Sequence, residues 1–225
     1  LETALRNCSH HPKDQSLAAF AAGRMDEARG VVIATHLSRC ARCREQVRDY
    51  ETIGGLLLAD ESPAPMRDSA LDSFWLRAGE QDRTPARSLS HAANDAPIAL
   101  AAPLSFYLKD GVDGVEWRSV APGIAQHVIP AKGYRPGVLR LLKIAPGVKL
   151  PKHTHGDEEF TLILRGAYED EFGRFEEGDL ADLDRDDTHA PVARGDEACI
   201  CLIATSAPLV FKDLVGKVMQ PFIRL

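Results

Sequence analysis

The rhythm of apolar positions changes partway along the chain. Up to about residue 80 they recur at helical spacing. Asp14 precedes Leu17, Phe20 and Ala21, and Gly23 marks a stop. Asp26 and Glu27 open a second helix that runs through Val31, Val32 and Ala34 to His36. A third is predicted over about Cys40 to Leu58, with Val47, Tyr50, Ile53, Leu56 and Leu57 on one stripe and Gly54 and Gly55 weakening its end. After Pro63 and Pro65 comes a fourth amphipathic segment carrying Met66, Leu71, Phe74, Trp75 and Ala78. Residues 81–102 mix Pro, Ala, Ser and Asp without periodicity and read as a linker. From Leu104 onward short apolar runs alternate with Gly, Pro and Asp turns: Leu104–Leu108, Val115–Val120, Gln126–Ile129, Val138–Ile144, Phe160–Leu164, Ala198–Ala204 and Leu209–Phe211. That texture predicts an all-β sandwich or barrel. The pattern divides the 225 residues into a helical domain (1–80), a linker (81–102) and a β domain (103–225).

Composition narrows the function classes. The net charge is −6 and no basic cluster appears, which argues against direct nucleic-acid binding. No apolar run approaches a membrane span, and the first ten residues lack the apolar core of a secretory signal, so a cytoplasmic location is expected. The chain opens on Leu1 rather than a methionine, which suggests trimming or a non-ATG start codon. Five cysteines, two of them in a C-x2-C, fit metal binding in a reducing compartment better than a disulfide framework.

The densest chemistry lies at His36, Cys40 and Cys43, an H-x3-C-x2-C. Thiolate and imidazole donors together favour zinc in a closed four-coordinate site. A C-x2-C alone also describes a redox pair or two buried thiols, but His36 stands at ligand spacing in a helical setting. The fourth donor must come from elsewhere. His11, just ahead of the first helix, is the first choice, with His10 and Cys8 open. Such a site would tie three helices together in a domain with little core of its own.

His11-x24-His36-x3-Cys40-x2-Cys43 in a short four-helix segment resembles the zinc-binding anti-sigma domain. Ala21-Ala22-Gly23 and Val31 to Ser38 are similar to its ChrR branch. The resemblance implies a partner, a group IV (extracytoplasmic-function, ECF) sigma factor kept from core RNA polymerase. The fourth helix, around Leu71, Phe74 and Trp75, either contacts that partner or completes the bundle core.

A second ligand pattern follows at His153, His155, Glu159 and His189. His153 and His155 alternate by two and share a strand face; Glu159 opens the next strand; His189 returns later. If Glu159 faces the metal, Glu158 faces away, and a register error would exchange them. Gly147-x5-His153-x-His155-x3-Glu159-x6-Gly166 resembles the first cupin motif, which implies a small jelly-roll barrel over about Leu104–Leu225. Zinc is the first expectation there, with iron, manganese or nickel also compatible with the ligand set. Cys199 and Cys201 share a strand face near this centre, as oxidation sensors or as small core residues. Cys199 to Leu202 and the ending Val218 to Leu225 also look ChrR-like. His91 and His127 have no companions at ligand spacing and read as non-ligands.

The expected whole is multidomain, a small all-α zinc domain followed by an all-β cupin. It reads as an anti-sigma factor and not an enzyme, releasing its partner on an oxidative signal such as singlet oxygen or an organic peroxide. Two other readings remain: a metal-dependent cupin oxygenase or isomerase with a regulatory zinc module, and a scaffold with two structural metals.

Overall fold

A computed structural model describes residues 8–80, 103–131, 137–205 and 209–211, without the side chains of Glu80, His155 and 209–211. The segment read as a linker, His91 and the ending from Val218 lie outside the described residues.

Four helices lead: α1 (Asp14–Ala21), α2 (Glu27–Arg39), α3 (Ala41–Asp60) and α4 (Ala70–Glu80). The Asp26 carboxylate accepts from the Arg29 amide at 3.0 Å and caps α2. Cys40 closes α2 and opens α3; its extended backbone (φ −98°, ψ 105°) turns the chain between His36 and Cys43. Its sulfur accepts from the Cys43 amide at 3.5 Å, so a cysteine replaces the usual oxygen cap. α1 packs on α2 and α3 through Leu17, Val32, Ile33 and Val47.

The second half of α3 and all of α4 carry apolar residues that bury nothing. Leu56, Leu57 and Leu58 are exposed, and so are Leu71, Phe74 (54%), Trp75 (62%) and Leu76. Of the two roles open to α4, completing the bundle core is therefore not the one seen. The Leu104–Leu108 run, expected as a strand, is a short helix, α5 (Leu104–Tyr107). Leu104 is buried while Phe106 is exposed, and a run this short has no periodicity to separate the two forms. Within Val115–Val120, only the end joins a strand.

The β domain has twelve strands among the described residues. They are β1 (Arg118–Ala121), β2 (Ile124–Ile129), β3 (Val138–Ile144), β4 (His153–His155), β5 (Glu159–Arg165), β6 (Ala167–Asp170), β7 (Gly173–Glu176), β8 (Leu180–Leu183), β9 (Thr188–His189), β10 (Val192–Arg194), β11 (Cys199–Thr205) and β12 (Leu209–Phe211). One sheet runs β1-β2-β3-β11-β5-β8, and two three-stranded sheets run β10-β6-β7 and β12-β4-β9. All pairings are antiparallel.

The period-two rule sorts the large sheet into two faces. Leu139, Leu141, Phe160, Leu162, Ile200 and Leu202 point outward and join a core with Ala28, Val31 and Val32 of α2. Leu142, Ile144, Ile163, Cys199, Cys201 and Ile203 point inward and line the barrel with Tyr168 and Phe175. The sheet is thus buried on both sides, which explains the near-continuous apolar runs of β5 and β11. Gly166, at φ 73°, turns β5 into β6; a Cβ there would lie 2.9 Å from the Ala198 carbonyl oxygen, so both the angle and the close approach demand glycine.

The chain ahead of α1 lies along β8, the edge of the large sheet. The Leu180 amide donates to the His10 carbonyl at 3.2 Å. Asp179 accepts from the Ser9 and His10 amides at 2.6 and 3.0 Å, and Asp182 from the Lys13 amide at 2.8 Å. This segment covers an otherwise open edge.

Two candidate metal centres

The turn at Cys40 folds the ends of α2 and α3 onto the segment before α1. His11, His36, Cys40 and Cys43 each bring one donor atom to a cluster in which all lie within 4.8 Å of one another. His11 Nδ1 is 3.4 Å from Cys40 Sγ and 3.3 Å from Cys43 Sγ; His36 Nε2 is 3.4 Å from Cys43 Sγ. A tetrahedral zinc with ordinary Zn–N and Zn–S bonds places its donors about 3.5 Å apart. The fit is good, and the burial of His36, Cys40 and Cys43 would keep water off three of the four ligands.

The imidazoles are prepared for the task. His36 Nδ1 meets the Gly178 carbonyl oxygen at 2.9 Å, which leaves Nε2 to face the sulfurs. Burial lowers the His36 pKa to about 4, so the ring is neutral at physiological pH. Burial and the neighbouring Cys40 push the Cys43 thiol up to about 12. Only a cation would hold the Cys43 sulfur as a thiolate here. The other two candidates for the fourth place have different surroundings. His10 stacks on Phe175, with ring centroids 4.0 Å apart, and its Nδ1 lies 3.3 Å from Asp179. Cys8 lies beside Cys40, its pKa raised to about 11, chiefly by burial.

The second cluster lies inside the barrel. His153, Glu159 and His189, all buried, place one donor each within 4.8 Å of one another. The two Nε2 atoms are 3.0 Å apart. Donors at right angles around a metal stand about 2.9 Å apart and tetrahedral ones about 3.3 Å. Each ring is oriented from behind: His153 Nδ1 by the Pro151 carbonyl at 2.8 Å, His189 Nδ1 by the buried Asp170 carboxylate at 2.7 Å. Glu159 and Glu158 part as expected: Glu159 is buried with the histidines, while Glu158 reaches outward to Arg29 of α2. His155 ends β4, opposite Leu209, and its side chain lies outside the described residues.

A cavity of about 40 Å³ adjoins this cluster, lined by Ile124, Leu142, Ile144, Ile203 and Cys201, with Arg140 and Tyr168 among its walls. Cys199 and Cys201 share the inner face, their sulfurs 3.5 Å apart. The bond from Cys199 and burial together hold the Cys201 thiol protonated, which favours packing over reaction. His127 faces the Glu116 carbonyl at 3.1 Å. Among the described residues no helix is long and apolar enough to cross a membrane.

Residues 111–208 match the family described as the ChrR cupin-like domain. The anti-sigma-E factor ChrR of Cereibacter sphaeroides is 38% identical over 216 residues, 96% of this chain and 98% of that protein. The chain belongs to the ChrR family. The crystal structure of Rhodobacter sphaeroides SigE in complex with the anti-sigma ChrR matches with a TM-score of 0.74 and 36% identity. That match covers 88% of this chain and 99% of the other. The sequence missed Asp170, Asp179 and Arg140. A lone acid or arginine far from any ligand motif gives no signal until the strands are paired.

Proposed function

We propose that this ChrR-family chain is a cytoplasmic anti-sigma factor that sequesters a group IV (ECF) sigma factor. On an oxidative signal, singlet oxygen or an organic hydroperoxide, it releases that factor for transcription. The relationship to ChrR over almost the whole chain carries this reading. The same relationship argues against a cupin oxygenase or isomerase, since the relative is a regulator.

In this account His11, His36, Cys40 and Cys43 hold a structural zinc, and residues 1–80 form the sigma-binding unit. The exposed row from Ile53 to Leu76 suits the contact, because a soluble chain gains nothing from leaving so much apolar surface in water. Two helices with unburied apolar faces can dock into grooves of a partner. His153, His155, Glu159 and His189 hold a second metal, zinc first, and the barrel reads the signal. The direct contacts of α2 and the leading segment with the barrel supply a physical route between the two clusters.

The test is transcription in a purified system. The full chain should inhibit RNA polymerase carrying its ECF sigma factor and leave the housekeeping sigma factor unaffected. Equal transcription with and without the chain would contradict the reading.

A further inference from the structure

Four consecutive barrel residues, 177–180, carry the chain from β7 into β8, and each touches the surroundings of the helical cluster. Glu177 pairs with Arg39 at the end of α2. The Gly178 carbonyl meets His36 Nδ1 at 2.9 Å. A carbonyl only accepts, so Nδ1 carries the proton and Nε2 keeps its lone pair for a metal. Buried Asp179 accepts from the amides of Ser9 and His10, and the Leu180 amide donates to the His10 carbonyl. The next residue in the chain is His11. Two of the four donors, His36 and His11, are therefore aimed by one turn of the other domain.

The turn is itself held in place. The Gly178 amide donates to the Ile163 carbonyl at 2.9 Å, and the Ile163 amide donates to the Asp179 carbonyl at 3.0 Å, which ties the turn to β5. Phe175, a core residue of the barrel, stacks on the His10 ring and steadies the segment that delivers His11. Gly178 takes φ 94°, and a Cβ there would lie 3.2 Å from Cys8 Sγ. Both the angle and the close approach favour glycine at the residue whose carbonyl faces His36.

We infer that the barrel turn at 177–180 positions the ligands of the helical metal centre, so that metal binding there and docking of the helices on the barrel strengthen each other. This rests on the reading of His11, His36, Cys40 and Cys43 as a metal centre. A group that orients a ligand imidazole from behind is worth about tenfold to a hundredfold in metal affinity. Linkage makes the effect reciprocal: the metal tightens the contact between helices and barrel by the factor that the contact tightens the metal. The zinc then fastens the helical domain to the barrel as well as its helices to one another. A displacement of this turn reaches the helices through their metal.

Cobalt titration of the full chain tests it. The barrel cluster has no sulfur donor, so the thiolate-to-cobalt charge-transfer absorption reports the helical centre alone. Gly178→Ala strains the backbone whose carbonyl His36 uses. Gly147→Ala, at φ 75° with open space around it, strains a different barrel turn and serves as the control. Gly178→Ala should weaken cobalt binding at the sulfur site about tenfold or more, and Gly147→Ala should leave it within about twofold. On the unaltered zinc-loaded chain, nitrogen NMR of the histidine rings should show His36 protonated at Nδ1 and metal-bound at Nε2, whether or not Gly178→Ala folds. Metal at His36 Nδ1, equal loss of affinity in the two glycine variants, or no loss in folded Gly178→Ala would each overturn the inference. No thiolate-to-cobalt absorption from the unaltered chain would instead sink the metal-centre reading beneath it.

Discussion

The helical cluster and the barrel cluster are built from different materials for different ends. In the first, two thiols and two imidazoles surround one point, three of the four residues are buried, and three come from eight consecutive positions. Its donors come from α2, the α2–α3 junction, α3 and the segment before α1. In the second, imidazoles and a carboxylate are set in the wall of a cavity, and their backs are fixed by Asp170 and Pro151. A donor set closed by protein holds a shape, whereas one beside a cavity can admit a ligand. On the proposed function, the first cluster would serve structure and the second response.

The largest effect expected is at Cys43. Cys43→Ala should remove one zinc per chain and weaken sigma binding on the order of a hundredfold, since metal binding and local folding are one event there. Sigma binding unchanged after that zinc is gone would erase the distinction between the clusters. At the barrel, Asp170→Asn should lower metal affinity about tenfold to a hundredfold by loosening His189, with sigma affinity unmoved. Metal titration with a competing chelator reads this directly. Trp75→Ala should cost about 2 kcal/mol of sigma binding, roughly thirtyfold, while thermal stability stays within about 0.5 kcal/mol because the ring is exposed. A large stability loss would mean that α4 packs on something after all. Asp179→Asn should have the smallest effect. Backbone amides of Ser9, His10 and Glu176 donate to this carboxylate, and weakening them should cost about 1–2 kcal/mol in denaturant unfolding. It should also make the helical zinc easier to chelate, because His11 follows directly.

The sequence was most legible where chemistry is local. His36, Cys40 and Cys43 sit within two turns of chain, and His153 and Glu159 within seven residues, so spacing alone grouped them. Period-two alternation correctly placed Cys199 and Cys201 on one face and parted Glu158 from Glu159. What spacing could not show depends on long-range pairing. Asp170 meets His189 across 19 residues and Asp179 meets Ser9 across 170. Arg140 gave no signal, because alternation does not say which face is wet when both are buried. The short strands β6 to β10 carry too few residues for a period to register. α5 was misread for the same reason.

The division of labour itself is tested most directly by sigma release. The purified complex of the full chain with its ECF sigma factor would be treated with an organic hydroperoxide and resolved by size-exclusion chromatography, alongside the same complex made with His153→Ala. The unaltered chain should release the sigma factor, and His153→Ala should bind it equally well and stay bound. Release from both complexes alike, or failure of His153→Ala to bind at all, would contradict the account.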